Sequence, residues 1–347
     1  MTLHIVVCCD QLPFTWGGTD VLTESLAENL RLRGHVVAIV RIPFRWYPKQ
    51  EILKGYLTWR LINLEECEGQ TIDRVIPLKF PSFVVAHPYK VTWLVQQFRQ
   101  AYDLYGTPHS QFDTSEADAE LRQTIHGIDT RTLGESRHIF TISRNVSRRL
   151  MHYNGLQSEP LHPPPALDGR FYNDGYGDYV LSVSRLNVLK RVDQLVTAMA
   201  HVKTPVKCRI AGQGEELERL QRLARQVGSA DRIDFLGFVS NDQILALYAG
   251  ALGVYYAPQD EDYGFATVEA MRSQKPVLTM ADSGEVLEFV EDGVTGYVVP
   301  TRDPIALAHR VDQLYLDRSQ AERMGTEGQK RVEGITWDTT IQRLLEV

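Results

Sequence analysis

Gly253-Val254-Tyr255-Tyr256-Ala257-Pro258-Gln259-Asp260-Glu261-Asp262-Tyr263-Gly264-Phe265-Ala266-Thr267-Val268-Glu269-Ala270-Met271 is the stretch that decides the fold. Its first five residues are aromatic, β-branched or small and predict a buried strand, which Pro258 closes. Val268, Ala270 and Met271 continue as a helix. A loop that leaves the carboxyl end of a parallel strand and opens a helix is where open α/β sheets bind ligands. The backbone N–H groups of Gly264, Phe265, Ala266 and Thr267 are expected to stand free there, because the first turn of a helix has no internal acceptors for them. Free donors together with the helix dipole favour a phosphate or an electron-rich sugar oxygen. Glu261 and Glu269 flank those donors and would accept hydrogen bonds from hydroxyls. The combination implies a sugar-nucleotide site.

Outward from this stretch, strands at 179–183, 207–211, 233–236, 276–279 and 296–299 alternate with helical segments to about Leu316. That rhythm predicts a doubly wound parallel sheet. The first half opens the same way. Residues 4–8 read as a strand, 12–18 as a loop, and Leu22, Leu26 and Leu30 lie at helical spacing before Gly34. A strand follows at 36–40, with later strands at 91–95 and 139–143 and helices over 111–135 and 144–153. There is no G-x-G-x-x-G after the first strand, so a nicotinamide site is not indicated. His162-Pro163-Pro164-Pro165 and the Gly- and Asp-rich run to Asp178 form the domain boundary, since prolines restrict the backbone and remove donors. The expected domains are 1–165 and 166–334, with a short amphipathic helix over 335–347.

At 347 residues the chain has room for two domains of ordinary size. A net charge of -7 argues against a general nucleic-acid binder, which needs a basic face. Cys8, Cys9, Cys67 and Cys208 show no metal-ligand spacing, and neighbouring cysteines rarely reach bridge geometry, so a reducing, cytoplasmic setting is expected. No basic leader precedes the first strand and no apolar run approaches the ~20 residues of a membrane span. Segment 44–64 mixes Phe44, Trp46, Tyr47, Tyr56 and Trp59 with Arg45, Lys49, Lys54 and Arg60. It reads either as an interfacial patch for peripheral contact with the inner face of the cell membrane or as a helix with core aromatics and solvated cations.

The E-x7-E stretch resembles the signature of retaining glycosyltransferases of the GT-B fold, the GT4-like family (glycosyl transferases group 1). The resemblance extends over roughly the second half of the chain. It includes Ser184-Arg185-Leu186-Asn187-Val188-Leu189-Lys190, Ala211-Gly212-Gln213-Gly214-Glu215-Glu216, Phe235-Leu236-Gly237-Phe238 and Asp292-Gly293-Val294-Thr295-Gly296 in the family's order. It implies an α/β chain of two Rossmann-like doubly wound domains facing across a cleft. The first would serve the acceptor, the second would bind a nucleoside diphosphate sugar (UDP- or GDP-sugar), and the terminal helix would pack back on the first. It further implies that Arg185 and Lys190 contact the donor diphosphate, that Glu269 binds the ribose hydroxyls, and that Glu261 lies near the transferred sugar. Fixed cations there would stabilise charge that grows as the sugar bond breaks. Gly264, Phe265, Ala266 and Thr267 would supply backbone donors. Gly17 and Gly18 would let the backbone approach the donor phosphate, and Gly212 and Gly214 would form a tight turn near it. Residues 235–239 would wall the base pocket, or simply end a buried strand.

The acceptor side departs from the family. Where members often carry a histidine after a first-domain strand, Gln96-Gln97 stand here, followed by Arg99; His87 is the nearest substitute. Asp260-Glu261-Asp262 also spells D-x-D, a metal-diphosphate motif of another glycosyltransferase fold, but Arg185 and Lys190 already offer positive charge, so no metal or other cofactor is expected. The expected reaction is transfer of a sugar to an acceptor hydroxyl with retention, in the synthesis of a cell-surface glycan such as an O-antigen, a capsule or a lipid-linked oligosaccharide. A sugar-nucleotide epimerase on the same fold and a non-catalytic sugar-nucleotide-binding protein stay open as alternatives.

Overall fold

The computed structural model describes residues 2–14, 17–108 and 110–347. Thr15 and Trp16, in the loop expected at 12–18, lie outside the described residues. The chain forms two compact units, one from Met1–Ala166 with Thr336–Val347 and one from Leu167–Ile335.

The first unit opens β1 (His4–Gln11), α1 (Gly18–Leu32) and β2 (Val36–Pro43), with β1 and β2 parallel in register from His4↔Val36 to Gln11↔Pro43. β3 (Arg74–Pro77) pairs with the other side of β1. Between them α2 (Glu51–Leu61) turns Ile52, Tyr56 and Trp59 into the core. β4 (Val91–Leu94), β5 (His138–Thr141) and β6 (Glu159–Pro160) form a second parallel run, tied to β3 by the bridge Val75↔Lys90. α3 (Glu116–Gly134) starts later than the polar stretch at 111–135 suggests, because Ser115 caps it, accepting from the Asp118 amide at 3.3 Å. α4 (Arg144–Asn154) is capped by Ser143 and ends at Gly155 in the left-handed region.

The second unit is a six-stranded parallel sheet. Its strands are β7 (Tyr179–Val183), β8 (Lys207–Ala211), β9 (Ile233–Gly237), β10 (Gly253–Tyr255), β11 (Val277–Met280) and β12 (Gly296–Val299). In space they run β9-β8-β7-β10-β11-β12. The order reverses between β7 and β10, and that switch point is where loops at the carboxyl ends diverge and leave a crevice. The crossovers are α5 (Val192–Met199), α6 (Leu217–Val227), α7 (Asn241–Ala249), α8 (Phe265–Arg272) and α9 (Val286–Phe289). α10 (Pro304–Leu316) and α11 (Arg318–Val332) complete the unit. Val196, Met199, Ile210, Leu278, Leu307 and Val311 fill the core between sheet and helices. Burying such side chains contributes on the order of 2 kcal/mol each.

The chain then returns to the first unit. α12 (Trp337–Leu345) buries Trp337, Ile341 and Leu344, and the Trp337 and Trp93 rings meet edge to face at 6.5 Å. Arg74 donates to the carbonyls of Leu344 and Val347 at 2.9 and 2.7 Å, and Arg33 and Arg343 pair with Asp338 and Glu159. Among the described residues, no helix is long and apolar enough to cross a membrane.

Candidate active site

The loops after β7 and β10, the two strands at the switch point, carry the expected side chains. β7 leads into Ser184–Lys190, whose last residues form a single tight helical turn capped by the Asn187 side chain. β10 leads through Tyr256 and Pro258 to Glu261. Lys190 Nζ forms an ion pair with Glu261 and donates to the Tyr256 hydroxyl at 3.0 Å. Burial works to lower the Lys190 pKa, but the adjoining Tyr256 and Glu261 outweigh it and hold the ammonium above its ordinary range. Arg185 is exposed on the same loop and makes no ion pair among the described residues.

Glu269 lies on α8 five residues past Gly264, about one and a half turns into the helix. Tyr248, buried on α7, donates to its carboxylate at 2.8 Å. Burial raises the Glu269 pKa, partly offset by that hydrogen bond. Gly264 caps α8 in the left-handed region at φ 85, and a Cβ there would come within 2.9 Å of the Tyr256 ring. The amides of Gly264, Phe265 and Ala266 have no hydrogen-bond partner among the described residues. Thr267 differs from expectation: its amide donates to the Gly264 carbonyl at 2.9 Å, so three rather than four donors lack a partner among the described residues. Its hydroxyl is buried with no partner among the described residues.

Other glycines have structural tasks. A Cβ on Gly212 would sit 1.8 Å from the Ser184 carbonyl oxygen, and one on Gly214 would sit 2.1 Å from that of Leu186. These two glycines let the loop after β8 lie flat against the Arg185 loop, where the Leu186 amide donates to Gln213 at 2.9 Å. Gly18 begins α1 and Gly17 precedes it in extended conformation; the Gly17 amide is engaged by Asp20 at 2.9 Å rather than held open for a phosphate. At the end of β9, Phe238 is 79% exposed.

The expected acceptor-side residues do not converge on a free base. His87 is buried in a turn. Its Nε2 meets the Ile72 carbonyl at 3.1 Å and its Nδ1 accepts from the Tyr89 amide at 3.0 Å, so both ring nitrogens are engaged. Burial lowers its pKa, leaving it neutral. Arg99 pairs with Asp103. Gln96 is half-buried, and its side chain makes no hydrogen bond among the described residues.

The sequence reading missed Arg191. It is buried beside Lys190 in the left-handed region at φ 51. Its Nη1 donates to both Asp282 carboxylate oxygens at 2.8 and 2.9 Å, and its Nε and Nη2 donate to the carbonyls of Ala257 and Pro258 at 2.8 and 2.7 Å. It thus ties the loop leading to Glu261 onto the loop after β11. Gly284 completes that seam. The Glu285 amide donates to the Glu261 carbonyl at 3.0 Å, and a Cβ on Gly284 would lie 2.5 Å from the Glu261 backbone. The one signal in sequence was a bulky residue next to Lys190 at a helix entry, which alone is ambiguous. Among the described residues no group of three or more His, Cys, Asp or Glu could hold a metal ion.

A helix N-terminus, the paired Lys190 and Glu261 and the half-buried Glu269 carboxylate thus lie at the switch point of a parallel sheet. Residues 173–331 match the family described as Glycosyl transferases group 1. It is 22% identical to an uncharacterised glycosyltransferase of Methanocaldococcus jannaschii, over 95% of this chain and 94% of the other. It is 32% identical, over 55% of its length, to a GDP-mannose-dependent alpha-(1-6)-phosphatidylinositol monomannoside mannosyltransferase of Mycobacterium tuberculosis, of which the match spans 53%. The structure of Anabaena HepE in complex with UDP and glucose superposes with a TM-score of 0.73 at 16% identity, covering 99% of this chain and 98% of that one. The fold is GT-B.

Proposed function

We propose that this protein transfers a sugar from a nucleoside diphosphate sugar to an acceptor hydroxyl with retention of configuration. The observation that carries the reading is the convergence, at one switch point, of the Lys190–Glu261 pair with the open amides of Gly264, Phe265 and Ala266. In this reading the amides and the exposed Arg185 take the diphosphate, and Lys190 follows the charge that builds on it as the sugar leaves. Glu269, oriented by Tyr248, accepts from the ribose hydroxyls. Glu261, held in place by Lys190 and by its backbone contact with Glu285, faces the transferred hexose. The leaving phosphate accepts the proton of the acceptor hydroxyl in a front-face displacement, which suits a site whose acceptor-side candidates include no available base. Arg185 and Lys190 supply the cationic charge without a metal. The proposed acceptor is a growing cell-surface glycan; a lipid-linked acceptor is in keeping with the mycobacterial relative, which by its name acts on a phosphatidylinositol mannoside. The four unpaired cysteines suit a reducing cytoplasm.

Calorimetric titration with UDP, GDP, ADP and dTDP, on the native chain and on Glu269→Ala, tests the donor site. The expected result is selective binding of one nucleotide class, weakened about tenfold in the variant. If none of the four binds to folded protein, the donor-site assignment is wrong. A nucleotide sugar that returns epimerised in the absence of acceptor would replace transfer by epimerisation.

A further inference from the structure

The aromatic and basic segment after β2 divides in two on folding. Phe44, Tyr56 and Trp59 enter the core, whereas Trp46, Tyr47, Pro48, Lys49 and Gln50 line an open hollow of about 700 Å3 together with Gln111 and Asp118. All of these residues belong to the first unit. Trp46 is half-buried and Tyr47 is 62% exposed, and their rings meet at 87° with centroids 5.6 Å apart. Trp46 is backed by the buried Phe44 ring at 6.5 Å. The result is a fixed right-angled aromatic corner with one face open to solvent.

Charge decides what the corner fits. Every cation of the segment stands in an ion pair. Lys49 pairs with Asp118, Arg45 and Lys54 share Glu51 at 3.3 and 2.6 Å, and Arg60 holds Glu135 at 2.6 Å. A patch that grips anionic lipid needs basic side chains free to reach head groups; here each is engaged by a carboxylate of the chain, with Arg45 and Lys54 sharing the one of Glu51. What remains in the hollow is aromatic faces, the exposed amides of Gln50 and Gln111, and a carboxylate already anchored by Lys49 and, at 2.7 Å, by the Asp113 amide. Aromatic faces take the C–H face of a pyranose, and planar amides and carboxylates take its hydroxyls. Few apolar walls with a small number of placed polar groups is the makeup of a small-molecule site, and the volume suits one or two sugar rings.

We propose that this hollow binds a neutral saccharide, a sugar unit of the acceptor glycan held by stacking on Trp46 and Tyr47. Its biological sense rests on the glycosyltransferase reading; the site itself does not. It supplies recognition that His87 and Arg99, engaged elsewhere, do not.

The test uses the full chain titrated with maltotriose, mannotriose and chitotriose, followed by tryptophan fluorescence and calorimetry, on native protein, Trp46→Ala, Tyr47→Ala and the ring-preserving Tyr47→Phe. The expected result is binding of at least one trisaccharide with a change in tryptophan emission. That binding should weaken roughly tenfold or more in each alanine variant and be retained in Tyr47→Phe. Nucleotide binding should stay unchanged in all three variants, and each should remain folded, with Trp46→Ala lowering the melting temperature most. The proposal is overturned if no trisaccharide binds, or if the alanine variants bind as the native chain does. It is equally overturned if phosphatidylglycerol vesicles, rather than saccharides, bind in a manner that depends on Trp46 and Tyr47. Nucleotide binding with no saccharide binding would sink this proposal alone, and the reverse would sink the donor site alone.

Discussion

Each unit has a buried polar cluster, and the two are built differently. In the first unit Asp129 is fully buried and accepts from the hydroxyls of Tyr56 and Tyr102, the latter at 2.7 Å, with Asn154 beyond and the His126 ring stacked on Tyr102 at 4.1 Å. No cation pairs with Asp129 among the described residues, and its partners come from α2, α3, α4 and the turn before α3. The cluster closes on itself and holds helices together. In the second unit Arg191, Asp282, Lys190 and Glu261 form ion pairs whose members sit on loops at the carboxyl ends of strands. A polar cluster that satisfies itself inside a core is architecture, whereas one whose groups border a crevice has charge left to offer a ligand.

Acid titration should separate the two most sharply. Burial raises the Asp129 pKa to about 7 from 3.8, opposed by the two tyrosine hydrogen bonds. The folded chain therefore keeps a proton that the unfolded chain loses above 3.8. The stabilisation is fully present below that value and is lost as pH rises toward 7, at most about 4 kcal/mol over the window. Urea midpoints should fall between pH 5 and pH 8 in the native protein and stay flatter in Asp129→Asn. An unchanged slope in the variant would mean that this cluster does not titrate as its burial implies.

The next effect belongs to the second unit. Arg191→Met leaves the carbonyls of Ala257 and Pro258 and the Asp282 carboxylate without their donor, and a loss of about 3 kcal/mol is expected. Arg191→Lys keeps the charge but not the geometry and should fall between. If the cluster serves the site, the lysine variant should lose turnover out of proportion to its stability, because the loop bearing Glu261 is less firmly held. A variant that loses stability but keeps full turnover would make Arg191 as architectural as Asp129. The smallest effect is at His87. Asn in its place can still accept from the Tyr89 amide, so His87→Asn should cost about 1 kcal/mol and leave kcat within twofold. A large fall in kcat with an intact fold would restore a role near the acceptor.

Legibility in the sequence followed the same divide. The strands of the second unit could be read because they are short, mostly apolar runs, several of them bounded by Gly or Pro, and Glu261, Gly264, Glu269 and Lys190 stand in local patterns. Their partners could not. Lys190 and Glu261 lie 71 residues apart and Arg191 and Asp282 lie 91 apart, and only the strand order of the sheet brings them together. The task of Gly212 is likewise invisible locally, since the atom it must clear is the carbonyl oxygen of Ser184 on a different loop. In the first unit, Gly17 and His87 look available in sequence. Asp20, three residues on, and the Ile72 carbonyl, fifteen residues back, engage them. The helix expected over 144–153 matches α4, whereas the exit of Trp46 and Tyr47 from the aromatic stretch into an open hollow shared with Gln111 and Asp118 was not legible.

The return of α12 to the first unit has a consequence for the order in which the protein is made. The second unit is one unbroken segment and is complete once Ile335 has been synthesised. The first unit begins earlier but lacks a piece of its core, Trp337, Ile341 and Leu344, until the residues after 335 have emerged. Domains usually mature in the order of synthesis; here the earlier one must wait for the later one, and its apolar seam beside Trp93 is exposed on the ribosome for as long as translation of 167–335 takes.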